Sequence, residues 1–287
     1  MKNIGFIGIG IMGKSMVKNL IKRGYAVTIH ARNEEKARDL IAEGAVFSPT
    51  IRGAVEKAEA VITIVGFPRD VEEVYFGKGA ILDSARRGLF LIDMTTTSPK
   101  LAKRISEEGA KKGCRVLDAP VTGGDAGARD GTLSILVGGD PEDCRDCLPI
   151  FEAMGSNINH FGPAGSGQHA KLANQIMIAG ALSGVCEGLS YAMKQNLPLE
   201  TFIKAVATGA AGSSQLNAFG SKLIDEDYSP GFFMKHMIKD LKLAMEEASD
   251  VGLDPAVGKI ALENYEYLES LGFGELGTHA LIKRYNS

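Results

Sequence analysis

Lys171, Asn174 and Gln175 stand three and four residues apart in an apolar run that follows Gly162-Pro-Ala-Gly165-Ser-Gly167. Residues so spaced share one face of a helix. The glycines predict a flexible loop that feeds the first turn of that helix. Lys171 then sits near the helix N-terminus, where the macrodipole disfavours a cation and pushes the lysine pKa down. A lysine moved toward neutrality can act as an acid or a base. Taken singly, a lysine is a solvated surface group, so the remaining chain decides between the two readings.

Other residues add to the possible chemistry. Thr122-Gly123-Gly124 follows a strand-like run and offers a hydroxyl beside bare backbone N–H groups. Such a turn can form an anion nest for a carboxylate, or be only a turn. Gly8-Ile9-Gly10-Ile11-Met12-Gly13 is a G-x-G-x-x-G fingerprint between a strand at residues 3–7 and an amphipathic helix carrying Met16, Val17, Leu20 and Ile21. In that setting Gly8 permits the tight turn, Gly10 lets the backbone approach a pyrophosphate and Gly13 permits close helix packing. The helix N-terminus, at Ile11 and Met12, then faces the anion. After the second strand comes His30-Ala31-Arg32-Asn33, with an arginine and no acid. An acid there holds the 2′-hydroxyl of NAD, whereas an arginine accommodates the 2′-phosphate of NADP. The reading is therefore NADP in preference to NAD, with NAD possible. Lys239 could reach an anionic ligand, with Asp240 as its partner or as a packing contact. His236 reads as a surface or packing residue.

The elements that must position these groups alternate. Strand-like runs fall at residues 3–7, 25–29, 45–47, 60–65, 89–93 and 115–118, with helical stretches at 49–57, 69–75 and 99–112 between later pairs. This pattern predicts a doubly wound, mostly parallel sheet, a Rossmann domain, with ligands at the carboxyl ends of its strands. Val65-Gly66 and Thr95 lie at two of those ends. Further strands are expected at 133–137 and 157–161, around a helix at 141–154. Beyond them the chain reads as wholly helical, at 199–208, 214–223, 232–251 and 255–271. The expected division is a dinucleotide-binding α/β domain at 1–162 and an all-α C-terminal domain at 163–287. A long interdomain helix at about 167–195 joins them. It is apolar nearly all round, so it is buried between the domains or gripped by a partner subunit.

Composition narrows the classes. The chain has 287 residues, long enough for two domains. A net charge of −3 makes no case for nucleic acid or a membrane surface. No unbroken apolar run of about 18 residues appears, so no spanning helix is expected. The start has no signal-peptide pattern. Four cysteines in this length are no disulfide scaffold and suit a reducing cytoplasm. Cys144 and Cys147 form a C-x-x-C pair without a second pair to complete a zinc site, so no metal is expected.

Four blocks, GFIGIGIMG at the start, DAPVTGG at 118–124, GPAGSGQHAKLANQ at 162–175 and KDLKLA at 239–244, stand in the order found in the β-hydroxyacid dehydrogenase family. The chain resembles that family over almost its whole length, in the manner of its 3-hydroxyisobutyrate dehydrogenase and tartronate semialdehyde reductase members. The resemblance implies Lys171 as acid/base on the substrate hydroxyl. It implies Thr122, Gly123 and Gly124 on the substrate carboxylate, and Asn174 orienting the substrate, with Gln175 beside it. Gly8, Gly10, Ile11, Met12, Gly13, Arg32, Val65, Gly66 and Thr95 would bind the dinucleotide, with Lys239 closing the site. Thr122 stands where many members have Ser, and Gln175 where some have a second Asn. A homodimer or homotetramer is implied as well.

The expected activity is NAD(P)-dependent interconversion of a small 3-hydroxy acid, such as 3-hydroxyisobutyrate, and its semialdehyde. Reduction of tartronate semialdehyde, succinic semialdehyde or glyoxylate is the alternative. A dinucleotide-binding protein without catalysis would be expected to lack Lys171.

Overall fold

The structure is a computed structural model and describes residues 1–286. The chain divides into two compact units, Met1–Lys171 and Leu172–Ser287.

The first unit is built on one sheet. Its strands are β1 (Asn3–Ile7), β2 (Ala26–His30), β3 (Val46–Ser48), β4 (Ala60–Thr63), β5 (Phe90–Asp93), β6 (Arg115–Asp118), β7 (Val121–Thr122), β8 (Leu133–Gly139) and β9 (Gly155–Gly162). The order is β3-β2-β1-β4-β5-β6-β8-β7, with β9 also paired to β8. The first six in that row run parallel. β8 pairs antiparallel with β6 and β7. Six strands in the order 3-2-1-4-5-6 are the doubly wound arrangement, whose strand order reverses between β1 and β4.

Residue alternation explains why both faces of this sheet are covered. Ile4, Phe6, Ala60, Ile62, Phe90 and Ile92 feed one core with Met16, Val17 and Leu20. Their neighbours Ile7, Val61 and Leu91 feed a second core with Val55, Val71 and Tyr75. Strands buried on both faces read as continuous apolar runs, which is how they appear in the sequence. The strand bounds shift by one or two residues from the sequence expectation. Residues 121–130 depart further. The Thr-Gly-Gly stretch was expected as a turn, but Val121–Thr122 pairs with β8 and Gly124–Asp130 is a short helix. A two-residue strand and a helix written with two glycines carry too little periodicity to be seen in sequence.

The second unit is helical among the described residues. It comprises most of the helix Ser166–Lys194, then Leu199–Val206, Ser214–Ile224, Met234–Asp250 and Ala256–Ser270, closed by a 3₁₀ segment at Thr278–Arg284 that the sequence did not signal. Its core takes Ala179, Leu182, Cys186 and Leu189 from one stripe of the long helix, with Met237, Leu241 and Tyr265 from the others. The Tyr265 hydroxyl donates to the Thr278 carbonyl at 3.2 Å, which fixes the terminal segment. Averaged over an 18-residue window, the helix Ser166–Lys194 reaches a mean hydropathy of 1.4 and is long and apolar enough to cross a membrane by those measures. Its isolated charges interrupt an unbroken run but hardly alter a mean.

Candidate active site

The glycine fingerprint forms as its spacing predicts. Gly8 has φ +102°, and a Cβ there would lie 2.1 Å from the Ile64 carbonyl oxygen. A Cβ on Gly13 would lie 2.1 Å from the Gly8 carbonyl oxygen. Both contacts are with backbone, so neither can relax cheaply. Gly10 differs: a Cβ there would meet no atom within 4 Å. It is also the N-cap of the helix Ile11–Lys22, with no side-chain cap and no acid in the first turn. The helix therefore presents its first N–H groups and its positive dipole end without an internal anion. This open cradle suits the pyrophosphate of a dinucleotide.

A hydrogen-bonded chain ties the next two strand ends to the fingerprint. A Cβ on Gly8 would also lie 3.1 Å from Val65 Cγ1. The Val65 N–H donates to Thr95 Oγ1 at 3.0 Å. The Thr95 N–H donates to Asp93 Oδ1 at 3.1 Å, and the Thr63 hydroxyl donates to the same oxygen at 2.8 Å. The Tyr75 hydroxyl lies 3.1 Å from Thr63 Oγ1. Thr63, Tyr75, Asp93 and Thr95 are all buried. Burial pushes the Asp93 pKa up to about 6 against the pull of its Thr63 and Thr95 hydrogen bonds. Its Oδ2 has no hydrogen-bond partner among the described residues. Thr95 thus serves as a brace between β4 and β5, and its hydroxyl is already used.

The start of the long helix is bolted to β5 and β6. Asp118, at the end of β6, accepts from the Gly165 N–H at 2.7 Å and from the Gln168 N–H at 2.9 Å. The carboxylate replaces the cap that a helix N-terminus needs. It also explains why the helix begins at Ser166, five residues before Lys171. The Gln168 side chain is fully buried and makes the second bolt. Its Oε1 accepts from the Thr97 N–H at 2.9 Å, and its Nε2 donates to the Thr95 carbonyl at 2.8 Å. Lys171 follows one turn later, with 6% of its surface exposed. Thr122 is half-buried on β7, opposite Ser134. Gly123 and Gly124 are exposed and have φ +129° and +67°. Those positive φ values are conformations that glycine adopts without strain, and Gly123 is the N-cap of the short helix Gly124–Asp130.

In the second unit the polar residues meet one another. Asn174 Nδ2 donates to Gln175 Oε1 at 2.9 Å, and Gln175 Nε2 donates to Asp240 Oδ2 at 2.8 Å. Lys239 pairs with Asp240 at 2.9 Å, the partnership its spacing suggested. Gln175 and Asp240 are buried, so this network fixes the helix Met234–Asp250 against the long helix. Burial, and then the Lys239 charge, push the His236 pKa down to about 4, in keeping with a packing residue.

Two groups lie apart from the braces. Arg32, just past β2, is ion-paired with Asp70 at 2.9 Å and Glu73 at 3.1 Å. Cys144 and Cys147 are buried in the helix Pro141–Phe151, and among the described residues no group of three or more His, Cys, Asp or Glu could hold a metal. Gln168, Asp118, Asp93, Asp70 and Glu73 carried no assigned role in the sequence. Gln168 carried one legible sign: it lies three residues before Lys171, on the same helical face. The partners of Asp93 and Arg32 come from distant strands and helices and left no local pattern.

This fold and fingerprint define an NAD(P)-dependent oxidoreductase. Residues 3–162 match the NAD-binding domain of 6-phosphogluconate dehydrogenase. Residues 165–285 match the family described as NAD-binding of NADP-dependent 3-hydroxyisobutyrate dehydrogenase. The chain is 45% identical to the uncharacterised oxidoreductase YkwC of Bacillus subtilis, over 98% of each chain. It is 43% identical to the probable 3-hydroxyisobutyrate dehydrogenase-like 1, mitochondrial, of Arabidopsis thaliana, over 97% of this chain and 84% of that one. The solved structure of Mycobacterium tuberculosis 3-hydroxyisobutyrate dehydrogenase with L-serine superposes with a TM-score of 0.89 at 29% identity, covering 100% of both chains. The protein belongs to the β-hydroxyacid dehydrogenase family and acts on CH–OH groups.

Proposed function

We propose that the protein interconverts a small 3-hydroxy acid of the 3-hydroxyisobutyrate type and its semialdehyde, with Lys171 as general acid and base. The observation that carries this is the placement of Lys171. It is a buried lysine one turn from a helix start that Asp118 and Gln168 lock to the ends of β5 and β6. Ligands of doubly wound sheets bind at those ends. When bound, the nicotinamide supplies the hydride chemistry. The remaining work falls to the chain. Thr122, Gly123 and Gly124 hold the substrate carboxylate with a hydroxyl and backbone N–H groups. Lys171 accepts the proton of the substrate hydroxyl in oxidation and returns it to the forming alkoxide in reduction. Asn174 orients the substrate, and Lys239, held by Asp240, contributes positive charge.

Gly8, Gly10 and Gly13, with Ile11, Met12, Val65 and Gly66 around them and Thr95 bracing Val65 from behind, hold the dinucleotide. Arg32 at the end of β2 favours NADP over NAD. The second unit supports a homo-oligomer. Met177 and Tyr191 on the long helix are 75% and 67% exposed, and Val257 and Ile260 on the helix Ala256–Ser270 are 61% and 56% exposed. Exposed apolar side chains on these two helices suit burial against a second copy of the chain. The unbonded thiols, three of them buried, suit a reducing cytoplasm.

The test is a panel of 3-hydroxyisobutyrate, L-serine, 3-hydroxypropionate, tartronate semialdehyde, succinic semialdehyde and glyoxylate. Each is assayed with both cofactors by the near-ultraviolet absorbance of reduced nicotinamide. The reading predicts the highest kcat/KM for a branched or short 3-hydroxy acid with NADP. No turnover of any of the six would sink it.

A further inference from the structure

We propose that Asp70 and Glu73 set the discrimination between cofactors with and without a 2′-phosphate, by occupying the Arg32 guanidinium that a 2′-phosphate must engage. The proposal rests on the reading above that Arg32 meets that phosphate. The end of β2 carries no acid of its own, yet the helix Pro68–Phe76 brings two carboxylates to the same point. Arg32 Nη2 donates to Asp70 Oδ1 at 2.9 Å and to Glu73 Oε2 at 3.1 Å. One cation with two anions leaves this cluster net negative, the wrong sign for a phosphate dianion. The missing ribose acid is thus supplied by a helix instead of a strand end.

The two carboxylates differ in freedom. Asp70 is held: its other oxygen accepts from the Phe67 N–H at 3.0 Å, which caps the helix, and its side chain is only 16% exposed. Glu73 is 68% exposed and, among the described residues, makes no such second bond, so it can swing away. A bound 2′-phosphate would take the Glu73 side of Arg32 and tolerate Asp70 at a cost. A 2′-hydroxyl needs no such displacement and can donate to either carboxylate. Arg32 therefore confers NADP binding while its partners restrain it, and a cofactor lacking the phosphate remains competitive.

The test titrates the cofactor-free protein with 2′,5′-ADP and with 5′-AMP by calorimetry, so that no turnover is involved. Wild type is compared with Glu73→Gln, Asp70→Asn, the double variant and Arg32→Ala. Glu73→Gln should tighten 2′,5′-ADP about two- to five-fold, the range of an exposed ion pair. The double variant should tighten it further, and 5′-AMP, whose 2′-hydroxyl then meets amide oxygens in place of carboxylates, should bind no more tightly than to wild type. Arg32→Ala should weaken only 2′,5′-ADP. Weakening by Arg32→Ala with no tightening in the carboxylate variants overturns the proposal and leaves the Arg32 reading standing. No weakening by Arg32→Ala overturns that reading and the proposal with it. Should Asp70→Asn disturb the helix cap, Glu73→Gln alone still decides the matter.

Discussion

Asp118 and Gln168 are joined by a hydrogen bond of 2.9 Å from the Gln168 N–H to the Asp118 carboxylate, across 50 residues of sequence. The same carboxylate takes the Gly165 N–H, so one side chain at the end of β6 sets where the long helix starts. Asp118→Asn keeps the shape but turns one acceptor into a donor facing an N–H. The variant should unfold at a lower urea concentration, by about 1.5–3 kcal/mol in stability. Its turnover should fall about 10- to 100-fold, since small misplacements of a catalytic group cost that much. A variant as active as wild type would detach Lys171 from this anchor.

The fingerprint glycines separate folding from binding. Gly13→Ala forces a Cβ into the Gly8 carbonyl and should destabilise by about 1–3 kcal/mol. Gly10→Ala has φ −72° and open space, so its melting temperature should match wild type. If the pyrophosphate rests on this backbone, Gly10→Ala should still weaken dinucleotide binding at least about tenfold, because the new methyl stands where the ligand must approach. Fluorescence titration with NADPH beside a thermal melt distinguishes the two.

Asp93 makes stability depend on pH in an unusual direction. Its folded-state pKa of about 6 lies above the ordinary carboxylate value because burial penalises the charge. The folded state therefore binds the proton more tightly than the unfolded chain. The stabilisation is full below about pH 4 and is lost as pH rises through about 6, on the order of 3 kcal/mol in all. Asp93→Asn keeps an acceptor for Thr63 and Thr95 and removes the charge. Between pH 5 and 8 its melting temperature should fall less than that of wild type. Parallel pH profiles for the two proteins would contradict the assignment.

Gly8, Gly10 and Gly13, the six parallel strands and the helical second unit are all legible in the sequence, because each is written locally. A G-x-G-x-x-G between a strand and a helix needs no distant partner to be understood, and neither does an apolar strand run. Lys171 was legible by spacing and by its setting among other motifs. What was not legible is long-range. Thr95 looked like a free hydroxyl at a strand end, yet it braces Val65. Gln175 looked like a group on the lysine's face, yet its amide is held by Asp240 from a helix 65 residues away. Arg32 looked unopposed because Asp70 and Glu73 lie on a separate element. The short helix Gly124–Asp130 was missed for a different reason, since its composition favours a turn.

The central claim is that Lys171 carries the proton. The most direct measurement is single-turnover kinetics of Lys171→Ala with the best substrate of the panel, beside a cofactor-binding titration of the same variant. The account predicts a loss of turnover of about 10² to 10⁴-fold with dinucleotide affinity unchanged. Turnover near the wild-type rate would contradict it.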